Sequence, residues 1–353
     1  MKMSDTREQN LARLRKEAYV IEPGQKFVVD DFKPEDAIGV ARLYYAIYGE
    51  MFPVDHVYDP DALVRINAGD DLFQAVGRTP KGDVVGLYAL FRSAPGKRIM
   101  EAGSWMVHPD YRTTSVGLRL ARKIHNNPPE HLGLDVIYGQ SVCDHVTTQK
   151  LARLINGHHC ALEMEPMPAR PGEENGYGRI SLLDGFVLLN NRPDELYLPE
   201  RYDAQLREIY GRLDLDRAFL PDSVSEEELV ASGETGLSAQ PVGDAGVLRM
   251  EVQSLGAGFA ERLADAEREY PDMHAYQLIL PLSLPGVSVA ASIAHRAGFF
   301  FGGLLPVWFD RDALLMQKVA GTPDFTKPLL HSEEAKTILE MVEADWRTLQ
   351  DAD

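Results

Sequence analysis

Two cysteines, Cys143 and Cys160, are all that this 353-residue chain contains. That is too few for a disulfide framework and points to a reducing compartment. The sequence has no apolar run long enough to span a bilayer. Its first twenty residues, MKMSDTREQNLARLRKEAYV, lack the apolar core of a signal peptide. A soluble, cytoplasmic protein is therefore expected. Basic residues are also short: 36 Lys and Arg stand against 54 Asp and Glu, a formal net charge of −18. This argues against nucleic acid or an anionic membrane as partner, because phosphate contacts are made by Lys and Arg. Histidines occur in HNNPPEH (125–131) and NGHHC (156–160), but without companion ligands at the intervals a metal site uses, so no metal is expected.

The bulk of the chain is ordinary: 44% hydrophobic and 25% charged residues, enough for a sizeable core. Its length suggests two domains. After a polar leader (1–25), KFVVDDF reads as a strand. PEDAIGVARLYYAIYG (34–49) reads as an amphipathic helix, and 59–70 as a second helix capped by Asp59 with Pro60 at its first position. Segments 72–79, 83–93 and 99–109 read as an antiparallel meander. A helix follows at 116–125, a strand at 134–143, a helix at 145–157 and a closing hairpin at 158–189. The order is mixed α/β of the α+β type, not a doubly wound repeat. Residues 191–243 read as a linker with a helix at 203–212 and an acidic segment. From 244 onward the pattern strand, helix, strand, helix ending in Gly, two strands returns, with TQKLARLINGHH matched by VAASIAHRAGFF. A divergent duplication is expected, closed by a helix at 332–349.

Between the strand at 99–109 and the helix at 116–125 lies a polar loop holding Arg112, Thr113, Thr114 and Ser115, and Gly117 follows in the first turn of the helix. A strand feeding a helix leaves the first helical N–H groups unpaired, and the helix dipole favours an anion there. Arg112 adds a fork-shaped donor.

The stretch VHPDYRTTSVGLRLAR (107–122) resembles the coenzyme-A-binding segment of the GNAT superfamily of N-acetyltransferases. The usual form of that segment is Val-x-Pro-x-Tyr-Arg followed by a Gly-x-Gly-type turn. The element order over 26–190 is similar to that superfamily as well, and a partial echo covers 244–321. The resemblance implies a GNAT-like, largely antiparallel sheet flanked by helices, with a degenerate second half in 244–353 that has only SLGAGFAERL where the loop would sit. It also implies acetyl-CoA or coenzyme A as co-substrate. The amides of Thr113, Thr114, Ser115, Val116 and Gly117 would hold the pyrophosphate, with Arg112 at the rim. Met106 and Val107 would pair with the pantetheine, and the Val107 N–H would face the acyl oxygen. The sequence departs from the family at Ser115, where a glycine is usual. Serine serves there only if the backbone tolerates a Cβ.

Acyl transfer to an amine needs a neutral nucleophile and a proton for the leaving thiolate. Glu101 is the candidate base, placed by period two on one face with Gly103, Trp105 and Val107. Proton-donor candidates are His145, Cys143 and Tyr138; His145 equally suits a helix cap, and Cys143 a small core residue. The stretch YYAIYGEMFPVDHVYD (44–59) offers Tyr45, Tyr48, Phe52 and Tyr58 as contacts for the amine. The expectation is an acyl-CoA-dependent N-acyltransferase acting on a small-molecule amine or an amino acid derivative, with homodimerisation left open. The alternatives are a non-catalytic acyl-CoA-binding scaffold and an enzyme using longer acyl chains or acyl carrier protein.

Overall fold

The computed structural model describes residues 5–17, 19–52, 54–169, 178–243 and 245–350. It divides into two compact units: Met1–Ser93 with Met100–Gly133, and Ala94–Ile99 with Leu134–Asp353.

In the first unit, helix α1 (Asp5–Glu17) precedes β1 (Val28–Asp31), α2 (Ala37–Tyr48) and α3 (Pro60–Asn67). Strands β2 (Leu72–Arg78), β3 (Val84–Phe91) and β4 (Ile99–Val107) and helix α4 (Val116–Asn126) follow. The strands run antiparallel in the order β1-β2-β3-β4. The caps explain the helix limits. Asp59 accepts from the Asp61 and Ala62 amides at the start of α3, with Pro60 at its first position. Helix α2 stops at Gly49, whose φ of +57 costs a glycine little.

One face of this sheet buries Val84, Leu87 and Met106 against Val40, Leu43 and Tyr44 of α2 and Leu11 and Leu14 of α1. The other face carries α4. That helix lies directly on two glycines: a Cβ added at Gly77 would fall 2.5 Å from Val116 Cγ2, and one at Gly86 2.9 Å from Leu120 Cδ1. Small residues beneath Val116 and Leu120 thus bring the N-terminal turn of α4 close to the sheet.

The second unit contains β5 (Val136–Val142), α5 (Thr147–Ala152), β6 (His158–Met167) and β7 (Ile180–Leu188). It continues with β8 (Asp194–Tyr197), α6 (Asp203–Tyr210), β9 (Arg217–Leu220), α7 (Glu226–Ala231), β10 (Gly236–Pro241) and β11 (Val247–Ser254). It closes with α8 (Phe259–Glu269), β12 (Ala275–Pro281), α9 (Val287–Arg296), β13 (Phe300–Leu305), β14 (Ala313–Val319) and α10 (Glu333–Gln350). The main sheet runs β5-β7-β6-β13-β14-β12-β11-β10, and β8 and β9 form a separate parallel pair. Strand, helix and hairpin recur with the same topology: β5-α5-β6-β7 is ordered β5-β7-β6, and β12-α9-β13-β14 is ordered β12-β14-β13. The two hairpins meet where Ala161 of β6 faces Gly303 of β13. Gly303 has φ +135, and a Cβ there would lie 2.4 Å from the Ala161 Cα, so only glycine fits this crossing.

Two expectations change here. A division at 190 does not follow compactness, because β5, β6 and β7 share one sheet with the C-terminal strands. The segment read as linker contains β8, β9, β10 and α7 besides the helix expected at 203–212, which spans Asp203–Tyr210. Helix α7 had a legible signal, since Ser225 and Glu228 form a capping box.

Candidate functional site

Strand β4 is interrupted by a bulge. Leu87 of β3 faces Met106 and Ala89 faces Gly103, so Ser104 and Trp105 together stand against Tyr88. Ser104 takes a left-handed φ of +53, uncommon for a residue with a Cβ. The extra residue resets the alternation of side chains. Glu101 and Gly103, opposite Phe91 and Ala89, share the α2 face with Met106. Val107, opposite Gly86, lies on the α4 face, and so does Trp105, whose ring stacks on Tyr88 at 5.1 Å. The expectation that Glu101, Gly103, Trp105 and Val107 share one face is corrected by this bulge.

The His108 amide donates to Val85 O at 2.9 Å. That makes Val107 a non-hydrogen-bonded position of the β3–β4 ladder, so its N–H turns away from β3. The chain then forms a 3₁₀ turn at Pro109–Tyr111, with the Tyr111 hydroxyl donating to Glu22 O at 2.7 Å. The Thr114 amide and hydroxyl both bond back to Tyr111 O, at 3.0 and 2.7 Å. The Val116 amide reaches Thr114 Oγ1 at 3.4 Å. The amides of Thr113, Ser115, Gly117 and Leu118 have no acceptor among the described residues. Of the amides expected to hold an anion, those of Thr114 and Val116 are thus engaged within the loop.

Ser115 has φ −81 and ψ 4, a conformation open to any L-residue. Glycine is therefore not required there, and the serine presents its amide without strain. Arg112 is exposed and has no acidic partner among the described residues. Gly117 lies under Val107, whose Cγ2 would be 3.4 Å from a Cβ at that position. Its carbonyl accepts from the Trp105 indole at 3.2 Å.

Behind this loop Tyr88 and His125 share a hydrogen bond of 3.0 Å. Burial pushes the His125 imidazole down to about 4, so it is neutral at pH 7. On the opposite face, Tyr44 bonds the Ser104 side chain, and burial pushes its hydroxyl up to about 12. Tyr44 packs at 4.9 Å from Phe52, which lies 5.0 Å from Tyr48.

The acceptor-side residues divide accordingly. Tyr48 and Phe52 form a cluster with Tyr44, the first tyrosine of the same stretch. Tyr45 is half-buried, and its carbonyl closes α2 by accepting the Gly49 amide. Tyr58 is fully buried. It donates to Gly49 O at 2.8 Å and accepts from the Phe52 amide at 3.2 Å, so it shapes the loop from within and has no surface to offer a ligand. Arg7 of α1, nearly buried, completes this anchoring through Asp55 and the carbonyls of Glu50 and Phe52, each at 2.7 Å.

Cys143, His145 and Tyr138 belong to the second unit. Cys143 is fully buried, and burial pushes its thiol up to about 12. Tyr138 sits in the core against Phe186 and Trp308. His145 accepts from the Thr147 amide at 3.3 Å and so caps the start of α5, the structural alternative already open for it.

The second half has its own strand-to-helix junction, from β11 to α8, and the chain itself fills it. The Ala257 amide donates to Gly233 O at 2.6 Å and the Gly256 amide to Thr235 Oγ1 at 3.1 Å. A Cβ at Gly256 would collide with Gly233 O at 2.2 Å.

No protein-family model and no curated protein matches the chain. Solved structures of acetyltransferases are similar to it over about half its length. The Escherichia coli ribosomal-protein-S18-alanine N-acetyltransferase shares 12% identity over 49% of this chain and 100% of its own, with a TM-score of 0.37. A GNAT-family acetyltransferase from Streptococcus pneumoniae shares 10% over 46% and 100%, with a TM-score of 0.39. The yncA protein of Salmonella typhimurium, solved with its cofactor acetyl-CoA, shares 14% over 48% and 97%, with a TM-score of 0.39.

Proposed function

We propose that this protein is an acyl-CoA-dependent N-acyltransferase, with acetyl-CoA as donor and the amine of a small molecule or amino acid derivative as acceptor. The observation that carries the reading is the start of α4. The acceptor-less amides of Thr113, Ser115, Gly117 and Leu118 and the unengaged Arg112 surround one helix N-terminus. Such a cradle suits a diphosphate, the most highly charged part of coenzyme A. The Val107 N–H, turned away from β3, is in the right chain position to meet an acyl group beyond that diphosphate.

Acyl-CoA supplies an activated thioester. The chain's own part is to bind, orient and move a proton. Glu101 is the proposed base, on the face of β4 that also carries Met106 and meets α2. Tyr44, Tyr48 and Phe52 border that face and are the proposed acceptor contacts. Tyr44, with its hydroxyl held protonated, is fitted to donate and not to abstract. A thiol with an ordinary value of about 8.5 leaves as thiolate with little help, so no dedicated acid is required.

A non-catalytic acyl-CoA binder is the second reading, favoured by the burial of Cys143 and the capping role of His145. Calorimetric titration with acetyl-CoA, followed by an amine panel, tests both. Binding with turnover supports the enzyme, binding without turnover on any amine supports the scaffold, and no binding removes both.

A further inference from the structure

Within the second unit a hollow of about 240 Å3 lies between the segment after β7 and the turn that joins β13 to β14. Its lining holds Arg98, Arg192, Arg217 and Arg311 together with Asp135, Asp194 and Asp310. Beneath Arg217 the fully buried Asp312 accepts from its Nε at 2.7 Å. Four arginines therefore face four aspartates.

The arginines are fixed from behind. Arg192 directs its Nε to both oxygens of the buried Asp135, at 3.0 and 2.7 Å. Arg311 uses Nε and one terminal nitrogen on Asp194. Both terminal nitrogens of Arg192 and Nη1 of Arg311 have no partner among the described residues. Asp310 accepts the Arg98 amide on Oδ1 at 2.7 Å, and its Oδ2 likewise has no partner among the described residues.

The turn that supplies one wall is strained. Val307 and Asp310, both lining the hollow, take φ of +59 and +60. For a β-branched valine this is a real outlier, and such strain persists only where surroundings impose it. They do so here: the Val307 amide donates to Asp312 Oδ1 at 2.9 Å, and the Gly96 amide donates to Trp308 O at 2.9 Å. A Cβ at Gly96 would stand 2.7 Å from the Asp310 nitrogen, so only glycine lets the 94–99 segment clamp the turn.

We propose that this hollow binds a free α-amino acid, its carboxylate against the outer edges of Arg192 and Arg311 and its ammonium at Asp310. A fixed guanidinium edge matches a carboxylate in two parallel hydrogen bonds. The spare Asp310 oxygen is the matching site for a cation. A zwitterion also leaves the balance of four positive and four negative side chains unchanged and satisfies both the arginine edges and the Asp310 oxygen, whereas a simple anion or cation satisfies only one of them.

The test is calorimetric titration and thermal unfolding of the full chain with each of the common amino acids, and with succinate, butylamine and inorganic phosphate as single-charge-type controls. At least one amino acid should bind one-to-one and raise Tm, with the controls at least tenfold weaker. Arg192→Ala and Asp310→Asn should each weaken that binding by about tenfold or more, the loss expected for a charge-assisted pair. Both should leave acetyl-CoA affinity unchanged. Should Arg192→Ala fold poorly, Arg311→Lys, which keeps a charge beside Asp194, gives the same reading. No amino acid binding, succinate or phosphate binding as tightly as any amino acid, or binding that survives every substitution would overturn the proposal.

Discussion

The indole nitrogen of Trp105 donates to the carbonyl of Gly117 across 3.2 Å. This ties the bulge of β4 to the first turn of α4, and with it the Val107 N–H to the open amides of the loop. Trp105→Phe keeps the ring that stacks on Tyr88 and removes only this bond. The expected result is a two- to tenfold loss of acetyl-CoA affinity, the range of one neutral hydrogen bond of about 1 kcal/mol. Equal affinity in calorimetry would mean that the bond does not set the loop.

Arg112 has no competing acid among the described residues, so its charge is available to a ligand. Arg112→Ala is expected to weaken coenzyme A binding by roughly ten- to a hundredfold, the loss of a charge-assisted contact. The salt dependence of binding should become shallower in the variant. An unaltered affinity would place the diphosphate elsewhere.

Ser115 occupies an ordinary backbone region. Ser115→Gly should therefore leave coenzyme A affinity within about twofold, while stability falls by a few tenths of a kcal/mol through the freer unfolded chain. A large gain in affinity would show that the serine hinders the loop after all.

Glu101 and Val107 lie on opposite faces of β4. Glu101→Gln should cut turnover by about a hundredfold or more, within the range of a lost general base, and leave acetyl-CoA affinity intact. Unchanged turnover at saturating amine would take Glu101 out of the mechanism.

Burial lowers the His125 imidazole from 6.5 to about 4 in the folded chain. Below 6.5 the unfolded chain takes up a proton that the folded chain refuses, so stability falls as pH drops from about 6.5 to 4. The loss contributed by this one group is about 3 kcal/mol at the lower end. His125→Leu should flatten this part of the profile, read by urea unfolding at pH 7, 5.5 and 4.5. An unchanged slope would assign the acid sensitivity to other groups.

Local chemistry was legible in the order of residues. Asp59 and Pro60 announced the start of α3, the apolar spacing within 34–49 announced α2, and the polar loop before Val116 announced a helix N-terminus with free amides. The Ser225 and Glu228 capping box was equally readable and marks α7 inside what reads as linker. These features depend on neighbours within a turn or two of the chain, and they survive without knowledge of the rest.

What tertiary structure decided was pairing and burial. The bulge at Ser104 and Trp105 exists because both stand against Tyr88 of another strand, and that pairing turned Glu101 and Val107 to different faces. Tyr44 rather than Tyr45 joined the aromatic cluster because the α2 rotation is set by what Val40 and Leu43 bury. Cys143 lost any acidic role because the core closed over it and raised its thiol. The Gly303 crossing and the strained turn at Val307 and Asp310 depend on segments distant in the chain, Ala161 and Gly96 among them, that only folding brings together.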